Sequence, residues 1–185
     1  MTFYMLTEYW RIEVAKKKRV GSHIGLITSI IRQTRKDNKL RFVFHFRLAQ
    51  FMHSKGGFWA ARARRIQQKL NLRYAVDIDI GATIGLGFRI AHLPGIVISG
   101  HAVIGRNFFI RQNTTIGIKT LGLDAYNLRI GDNVSVGANS CIIADDIHVG
   151  DNVTVGAMSL VTKGIPANSV FYNKRLSSIT PTFQE

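Results

Sequence analysis

An aliphatic residue recurs at every sixth position through the middle of the chain, and this spacing constrains the fold more than any other feature. The first run comprises Ile80, Leu86, His92, Ile98, Ile104, Ile110 and Ile116. A second run lies two residues earlier and comprises Ile78, Ile84, Ile90, Ile96, Ala102, Phe108 and Thr114. A period of six fits neither an α-helix nor a free strand. It predicts short strands separated by regular turns, each strand giving two inward side chains to a stacked coil.

The same spacing returns in two later blocks, so the predicted coil extends well beyond residue 116. The inward positions of these blocks are Leu128, Ile130, Val134, Val136, Ser140, Ile142, Ile147, Val149, Val153, Val155, Ser159 and Val161. Residues 118–127 separate the first block from the second and do not fit the spacing, which predicts an extruded loop. Between Ile142 and Val149 the interval is seven residues, which predicts one bulged residue near Ala144–Asp146.

The N-terminal part of the chain has a different pattern and contains no proline. Breaks near Gly21, Asp37-Asn38 and Gly56-Gly57 divide it into four predicted helices. Their predicted ranges are 3–18, 24–36, 40–54 and 57–71. The segment RFVFHFRLAQFM is compatible with a strand or a helix, and its helical flanks favour a helix. We therefore predict three regions: a basic α-helical region at 1–73, a coil domain at 74–166 and a tail at 167–185.

All of the excess positive charge lies in the predicted helical region. The chain has 25 Lys and Arg residues against 11 Asp and Glu residues, a net charge of +14 at pH 7. Residues 1–73 hold 17 of these bases and three of the acids. Such a region suits an anionic partner, either a phospholipid surface, a nucleic acid or a phosphorylated substrate, or it is simply a solvated helix face. No RNA- or DNA-binding motif is visible, so a nucleic acid is not expected.

Several features favour a cytoplasmic protein. The N-terminal residues lack the basic start and apolar run of a signal peptide. The apolar stretch IGLITSII is too short to span a bilayer. The single cysteine, Cys141, cannot form an internal disulfide, which suits a reducing compartment. The basic helical region allows peripheral contact with the inner face of the cytoplasmic membrane.

Residues 76–166 resemble the hexapeptide-repeat acyltransferases, whose fold is a mainly β, left-handed parallel β-helix. The match is carried by VDIDIGATIGLGFRIAHLPGIVISGHAVIGRN, then IRQNTTIG, then IGDNVSVGANSCIIADDIHVGDNVTVGAMSLVTKGIP. The chain is most similar to the serine O-acetyltransferase branch, including relatives from surface-polysaccharide pathways. This resemblance implies acetyl-CoA as the acyl donor and a homotrimer, with sites between neighbouring coils and room for further association through the helices. Zinc-dependent carbonic anhydrases share this fold, but their histidine spacing is absent, so no metal is expected.

Acetyl transfer to a hydroxyl needs a base and a held thioester. The imidazole of His92 is suited to the role of base at neutral pH. The resemblance places the catalytic histidine at His92 and an orienting aspartate at Asp77, with Asp79 as a competing carboxylate. The family's aspartate directly before the histidine is replaced by Ala91. The alternative is a histidine that bonds to backbone at a bent corner, beside Pro94.

The resemblance also assigns binding residues for both substrates. Coenzyme A would lie in a groove lined by Ala138 and Ala157, with Thr162 and Lys163 near its phosphate end. Asn173 replaces a family glycine, so Lys174 or Arg175 could supply contacts to the adenine end.

The acceptor side departs from the serine acetyltransferases. Their loop histidine, which helps to bind the amino acid, is replaced by Asn127. We therefore expect a sugar hydroxyl of a bacterial capsular or surface polysaccharide, or of its precursor, as the acceptor. Asp124, Tyr126 and Asn127 would bond the glycan, unless they are ordinary polar loop residues. There are two alternatives. One is a serine O-acetyltransferase, and the other is a non-catalytic trimeric scaffold with an anion-binding N-terminal region.

Overall fold

The computed structural model describes residues 1–17 and 22–174, and its N-terminal part is helical. Helix α1 spans Phe3–Tyr9 and continues directly into a short π-helix at Trp10–Val14. Three further helices follow, namely α2 at His23–Lys36, α3 at Asn38–His53 and α4 at Gly57–Tyr74. The predicted tail from residue 175 onward lies outside the described residues. No described helix combines the length and the apolar character needed to cross a membrane.

The first helix is shorter than the predicted range 3–18, because its regular hydrogen bonding ends at Val14. The Trp10 carbonyl accepts a hydrogen bond from the Ala15 amide at 2.8 Å, five residues on, so the helix widens there. It ends where Lys16 adopts a left-handed conformation with φ of 55°. The ambiguous segment is helical, as predicted, because Phe42 and Phe46 stack one turn apart with ring centroids at 5.7 Å.

From Asp77 onward the described chain winds through fourteen short strands. Their bounds are β1 Asp77–Ile78, β2 Thr83–Ile84, β3 Arg89–Ile90, β4 Val97–Ile98, β5 Ala102–Ile104, β6 Phe109–Ile110, β7 Thr115–Gly117, β8 Asn127–Ile130, β9 Ser135–Val136, β10 Cys141–Ile143, β11 Asp146–Val149, β12 Thr154–Val155, β13 Leu160–Val161 and β14 Val170–Phe171. Every third strand pairs in parallel, which gives three sheets. We name them sheet A (β1, β4, β7, β10, β13), sheet B (β2, β5, β8, β11) and sheet C (β3, β6, β9, β12, β14).

The three sheets enclose a triangular prism whose interior is aliphatic. In the second and third blocks every predicted inward position is buried, including Ser140 and Ser159. Burying this column of side chains stabilises the coil by roughly 25 cal/mol for each Å² of apolar surface removed from water. The six-residue period therefore has a direct physical cause, since each strand is too short to direct more than two side chains inward.

The strand register corrects the predicted repeat at His92. Ile78 pairs with Ile98, twenty residues later, whereas Ile98 pairs with Ile116, eighteen residues later. The first coil is therefore two residues longer than the second, and the insertion falls between Ile90 and Ile98. The prediction that His92 occupies an inward position is wrong, because its side chain is exposed. The pattern concealed the insertion because the two inward positions of each strand are themselves two residues apart.

The later irregularities lie where the spacing indicates, except that the predicted loop at 118–127 is one residue too long, because Asn127 is the first residue of β8. Ile116 pairs with Ile142, twenty-six residues later, because residues 118–126 leave the coil between β7 and β8. Arg129 pairs with His148, nineteen residues later, so this coil carries one extra residue, as the seven-residue interval predicts. The following strand starts at Asp146, which places the bulge at Ala144 and Asp145.

A buried ion pair fastens the helical region to the first coil. Arg47 on α3 donates to Glu13 through Nε at 2.9 Å and Nη2 at 2.7 Å, and both side chains are at most 1% exposed. Arg47 also donates to the carbonyls of Ile84 and Gly85, each at 2.9 Å. Glu13 Oε1 accepts from the amides of Gly87 at 2.9 Å and Phe88 at 3.0 Å. Each charge is thus fully bonded across the interface, which sets the position of the helices relative to the coil.

Candidate active site

His92 lies on the prism edge that follows the strands of sheet C, which we call the C–A edge. Its imidazole is exposed and makes no hydrogen bond to any described residue. It lines a cavity of about 620 Å³, the His92 cavity, between the coil and the helices. The backbone-bonded histidine of the alternative interpretation is therefore not observed within one chain. The arrangement leaves a nitrogen available to accept a proton from a bound hydroxyl.

The two-residue insertion explains why His92 projects outward. The turn after it is fixed by backbone hydrogen bonds from Gly95 to the Ala75 carbonyl at 2.7 Å and from Asn113 to the Pro94 carbonyl at 3.0 Å. Gly95 has φ of +73°, and a Cβ there would lie 2.2 Å from Asn113 Oδ1. Only glycine fits that position, so the corner is held rigidly between α4 and the next coil.

Neither candidate carboxylate contacts His92 within one chain. Asp77 is exposed on β1, and its Oδ1 accepts a hydrogen bond from Asn71 Nδ2 at 3.0 Å. Asp79 Oδ1 accepts from the Gly81 amide at 2.6 Å and so closes its own turn. The predicted reach from Asp77 to the histidine depended on a coil without the insertion, and the insertion moves the corner outward.

The two predicted alanines share an edge with His92. His92 follows β3, Ala138 follows β9 and Ala157 follows β12, and these three strands belong to sheet C. Successive coils are bonded along this edge, since the Met158 amide donates to the Ala138 carbonyl at 2.8 Å. The structure therefore brings His92 and the small residues of the predicted coenzyme A groove onto one line.

The other two predicted coenzyme A residues lie elsewhere on the chain. Thr162 and Lys163 are exposed and follow β13, so they lie on the A–B edge, which follows the strands of sheet A. The extruded loop at 118–126 leaves the coil from this same edge, after β7. Within one chain, the width of sheet A separates Thr162 and Lys163 from His92.

Two of the three predicted acceptor-binding residues, Tyr126 and Asn127, are engaged in hydrogen bonds within the chain. The Tyr126 hydroxyl accepts from the Leu123 amide at 3.0 Å and donates to the Thr120 carbonyl at 2.9 Å. Asn127 Nδ2 donates to Asp146 Oδ1 at 2.7 Å. Asp124 is exposed and makes no hydrogen bond to the described residues. Of the three, Asp124 has its polar atoms available for a ligand.

Asp145 anchors the loop, a role that the sequence reasoning missed. Its Oδ1 accepts from the amides of Thr120 at 2.8 Å and Lys119 at 2.9 Å. The backbone hydrogen bond from Thr120, with help from Lys119, lowers the pKa of Asp145. Since the folded pKa is depressed, this anchor is complete above the ordinary carboxyl range and weakens only as the pH falls through the lowered pKa. The seven-residue interval at this position was the available signal.

The cavity that His92 lines also contains cationic side chains, and the residue spacing alone does not predict their presence. The His92 cavity is also lined by Lys36, Lys39 and Arg73, with Asp37 as the acidic member. Asp37 caps α3, since its Oδ1 accepts from the Lys39 amide at 2.8 Å. Within the described residues, no group of three His, Cys, Asp or Glu side chains is placed to hold a metal ion.

Comparison with known proteins agrees with this architecture. Residues 127–163 match the family model described as the hexapeptide repeat of succinyl-transferase. The chloroplastic serine acetyltransferase 1 of Arabidopsis thaliana is 42% identical over 104 residues, which are 56% of this chain and 33% of the relative. WcaB of Escherichia coli strain K12, whose name assigns it to colanic acid biosynthesis as an acetyltransferase, is 40% identical over 103 residues, 55% of this chain and 62% of the relative. The chain thus spans less than two thirds of either relative.

Solved structures extend the similarity into the helical region. A serine acetyltransferase isoform 3 of Entamoeba histolytica, in complex with cysteine, matches with a TM-score of 0.73 at 25% identity over 96% of this chain and 61% of that one. A serine acetyltransferase in complex with CoA matches with a TM-score of 0.61 at 26% identity over 71% of this chain and 52% of that one. The chain therefore has the left-handed parallel β-helix fold, with a hexapeptide repeat matched at residues 127–163, and it resembles the serine acetyltransferase branch of the hexapeptide-repeat acyltransferases.

Proposed function

We propose that this chain is an acetyl-CoA-dependent O-acetyltransferase with His92 as its general base. The observation that carries the proposal is an exposed, unbonded imidazole on the same prism edge as Ala138 and Ala157. Small side chains let a pantetheine arm approach the backbone of a coil. The similarity to acetyltransferases, one of them solved with CoA, supports the choice of donor.

In the proposed reaction, the acceptor hydroxyl attacks the thioester carbon while His92 removes its proton. The carbon–sulfur bond of the tetrahedral intermediate then breaks, and the coenzyme A sulfur takes the proton from the imidazolium. The products are an acetyl ester and free coenzyme A, and the imidazole returns to its neutral form. Positioning both substrates at one edge would supply much of the rate gain.

We propose a homotrimer because the candidate residues occupy two edges of one prism. His92, Ala138 and Ala157 lie on the C–A edge, whereas Lys163 and the loop at 118–126 lie on the A–B edge. A three-fold axis would bring the C–A edge of one copy against the A–B edge of the next. Thr162 and Lys163 would then meet the phosphate end of coenzyme A from a neighbouring copy.

Asp77 is retained as the proposed positioning residue for His92. It lies on β1, in the sheet that joins the two edges, and its carboxylate is exposed. To orient the imidazole, it would have to exchange the hydrogen bond from Asn71 for one from His92. Ordering of the corner by a neighbouring copy and by the bound donor would favour that exchange.

A sugar hydroxyl is the proposed acceptor. Asn127 stands where the serine acetyltransferases have a histidine, and its amide donates to Asp146 of the next coil on the exposed face of sheet B. Asp124, exposed on the loop, is the proposed glycan contact. The similarity to a relative named for colanic acid biosynthesis supports a surface polysaccharide or its precursor.

The acceptor is tested by following thioester cleavage with acetyl-CoA and different acceptors. We expect serine to give no more cleavage than water, and amino sugars or glycan repeat units to accelerate it. The Asp124→Asn variant tests the proposed glycan contact, and it should raise KM for the sugar without changing the binding of acetyl-CoA. Faster cleavage with serine than with any sugar would favour the serine acetyltransferase alternative.

Peripheral contact with an anionic membrane, from the cytoplasmic side, is the proposed role of the N-terminal surface. Large apolar side chains of α1 and α2 are exposed, namely Phe3, Tyr4, Met5, Ile24, Ile27 and Ile31. Phe3, Tyr4, Ile27 and Ile31 line an apolar groove of about 500 Å³ between the two helices. The exposed cations Arg32, Arg35 and Lys36 on α2 lie beside them. Apolar insertion together with basic residues is typical of interfacial binding.

We expect the protein to co-sediment with phosphatidylglycerol vesicles at low salt and to be released as salt is raised. The double substitution Ile24→Asp and Ile27→Asp should abolish sedimentation, because it places two carboxylates in the inserting face. The control is Leu72→Asp, at an apolar residue on α4 that is more exposed than either isoleucine. An absence of sedimentation of the unaltered protein at low salt would remove the membrane contact from the account.

A further inference from the structure

A second large cavity lies between the helical region and the outer face of sheet C. Its volume is about 750 Å³, and we call it the helix–sheet cavity. Its polar lining includes Lys16, Lys39, Arg89, Asn107 and Asn133. Neither Ala138 nor Ala157 lines it, so it is separate from the proposed coenzyme A groove.

The lining of the helix–sheet cavity has an excess of positive charge. Lys16, Lys39 and Arg89 are its cations, and Glu13 and Asp37 are its acids. The Glu13 carboxylate is already bonded to Arg47, so it neutralises none of the three. Asp37 Oδ2 is 3.8 Å from Lys39 Nζ, a long ion pair at an exposed site.

The guanidinium of Arg89 is placed by an aromatic ring rather than by a carboxylate. Its Cζ lies 5.1 Å from the centroid of Phe109, and the Cζ of Arg111 lies 4.6 Å from the same centroid. Neither arginine forms an ion pair with a described residue. Stacking fixes the plane of each guanidinium. Arg111 Nη1 donates to Ser135 Oγ at 3.3 Å and to the Val136 carbonyl at 3.5 Å, whereas the N–H groups of Arg89 have no hydrogen-bond partner among the described residues and are available to an anion.

The helix–sheet cavity adjoins the His92 cavity. Asp37 and Lys39, at the junction of α2 and α3, line both. Ala91, the residue before His92, also lines the helix–sheet cavity. Arg111 lies on the C–A edge one coil beyond Ala91, since Ile90 pairs with Ile110. A ligand anchored by the cations could therefore extend past Lys39 toward the imidazole.

We propose that the helix–sheet cavity binds the diphosphate of a diphosphate-linked sugar, and that this sugar is the acceptor. Two adjacent phosphates match the planar guanidinium of Arg89 and the flexible ammonium groups of Lys16 and Lys39 better than a single carboxylate does. Asn107 Nδ2 donates to Asn133 Oδ1 and Asn133 Nδ2 donates to Asn152 Oδ1, so each amide has one further N–H for a phosphate or ribose oxygen. The assignment of the ligand as acceptor rests on the proposed function, whereas the anion site itself does not.

The binding test uses inorganic pyrophosphate and the full chain, measured by titration calorimetry. We expect salt-sensitive binding that the double variant Lys39→Gln and Arg89→Gln weakens by at least about tenfold, because two charge-assisted contacts are lost. The matched control, Arg64→Gln and Arg65→Gln, removes the same charge from the exposed face of α4 and should change the affinity less than about twofold. Equal affinity in the two double variants would overturn the assignment.

Saturating acetyl-CoA separates this site from the coenzyme A groove. We expect pyrophosphate to bind equally well with acetyl-CoA present, and displacement would overturn the proposal by assigning the anion to the donor's phosphates. Uridine diphosphate glucose and a short-chain polyprenyl diphosphate, used as further probes, distinguish a nucleotide-linked from a lipid-linked sugar, and binding of neither would contradict an acceptor site. If pyrophosphate binding depends on Lys39 and Arg89 but no sugar diphosphate is acetylated, the anion site is supported and the proposed acetyl transfer is contradicted.

Discussion

Replacing Arg47 by leucine should destabilise the protein by about 3–5 kcal/mol, the largest effect expected of any single substitution here. The change leaves the Glu13 carboxylate buried without its guanidinium, and it removes the donors to the Ile84 and Gly85 carbonyls. In urea the unfolding midpoint should fall by roughly 1–2 M. Fluorescence of Trp10 reports the transition, because its indole stacks on Phe44 with centroids at 4.5 Å.

A double variant separates the lost charge pair from lost packing. Adding Glu13→Gln to Arg47→Leu removes the buried charge, while the glutamine oxygen can still accept from the Gly87 and Phe88 amides. We expect the double variant to recover at least about 1 kcal/mol relative to the single variant, since an uncompensated buried charge is the main cost. Arg64→Leu, on the exposed face of α4, is the control and should change stability by about 0.5 kcal/mol or less. A midpoint for Arg47→Leu equal to that of the control would refute the role of the pair.

Replacing His92 by alanine should lower kcat by about 10²–10⁴-fold while leaving acetyl-CoA affinity and the unfolding midpoint unchanged. The kinetic loss follows because no other described imidazole lies in the His92 cavity. Stability should not change because the side chain is exposed and makes no hydrogen bond to the described residues. Steady-state thioester cleavage, equilibrium binding of acetyl-CoA and urea unfolding measure the three quantities.

The matched control for this variant is His101→Ala. His101 lies on the A–B edge, where its ring contacts Tyr126 at a centroid distance of 4.4 Å. Its loss should disturb the loop and leave most of kcat. A non-catalytic scaffold would show no turnover in the unaltered protein, and so no difference between the two histidine variants.

The coil was predictable because its cause is local and repeated. Each strand contributes two inward aliphatic residues, so the spacing of residues such as Ile98, Ile104 and Ile110 reports the fold directly. The two-residue insertion before Ile98 was not predictable. The two inward positions of a strand are also two residues apart, so the insertion exchanges one for the other and leaves the aliphatic pattern unbroken. The resemblance still identifies His92 as a candidate, although the spacing predicted an inward side chain and the structure shows an exposed one.

The site was predictable only in part, because much of it depends on contacts between distant residues. Glu13 and Arg47 are 34 residues apart, and in a basic segment an arginine normally indicates a solvated surface. The cations of the helix–sheet cavity come from the helices and from sheet C, and no motif joins them. Asp145 had a sequence signal in the seven-residue interval, but its partners Lys119 and Thr120 follow only from the fold.

The most direct measurement is mass spectrometry of a sugar acceptor incubated with isotopically labelled acetyl-CoA and either the unaltered protein or His92→Ala. The account predicts that the sugar gains one labelled acetyl group with the unaltered protein and remains unlabelled with the variant over the same time. Equal labelling by the two proteins would contradict the account, because it would mean that acetyl transfer proceeds without the imidazole on the C–A edge.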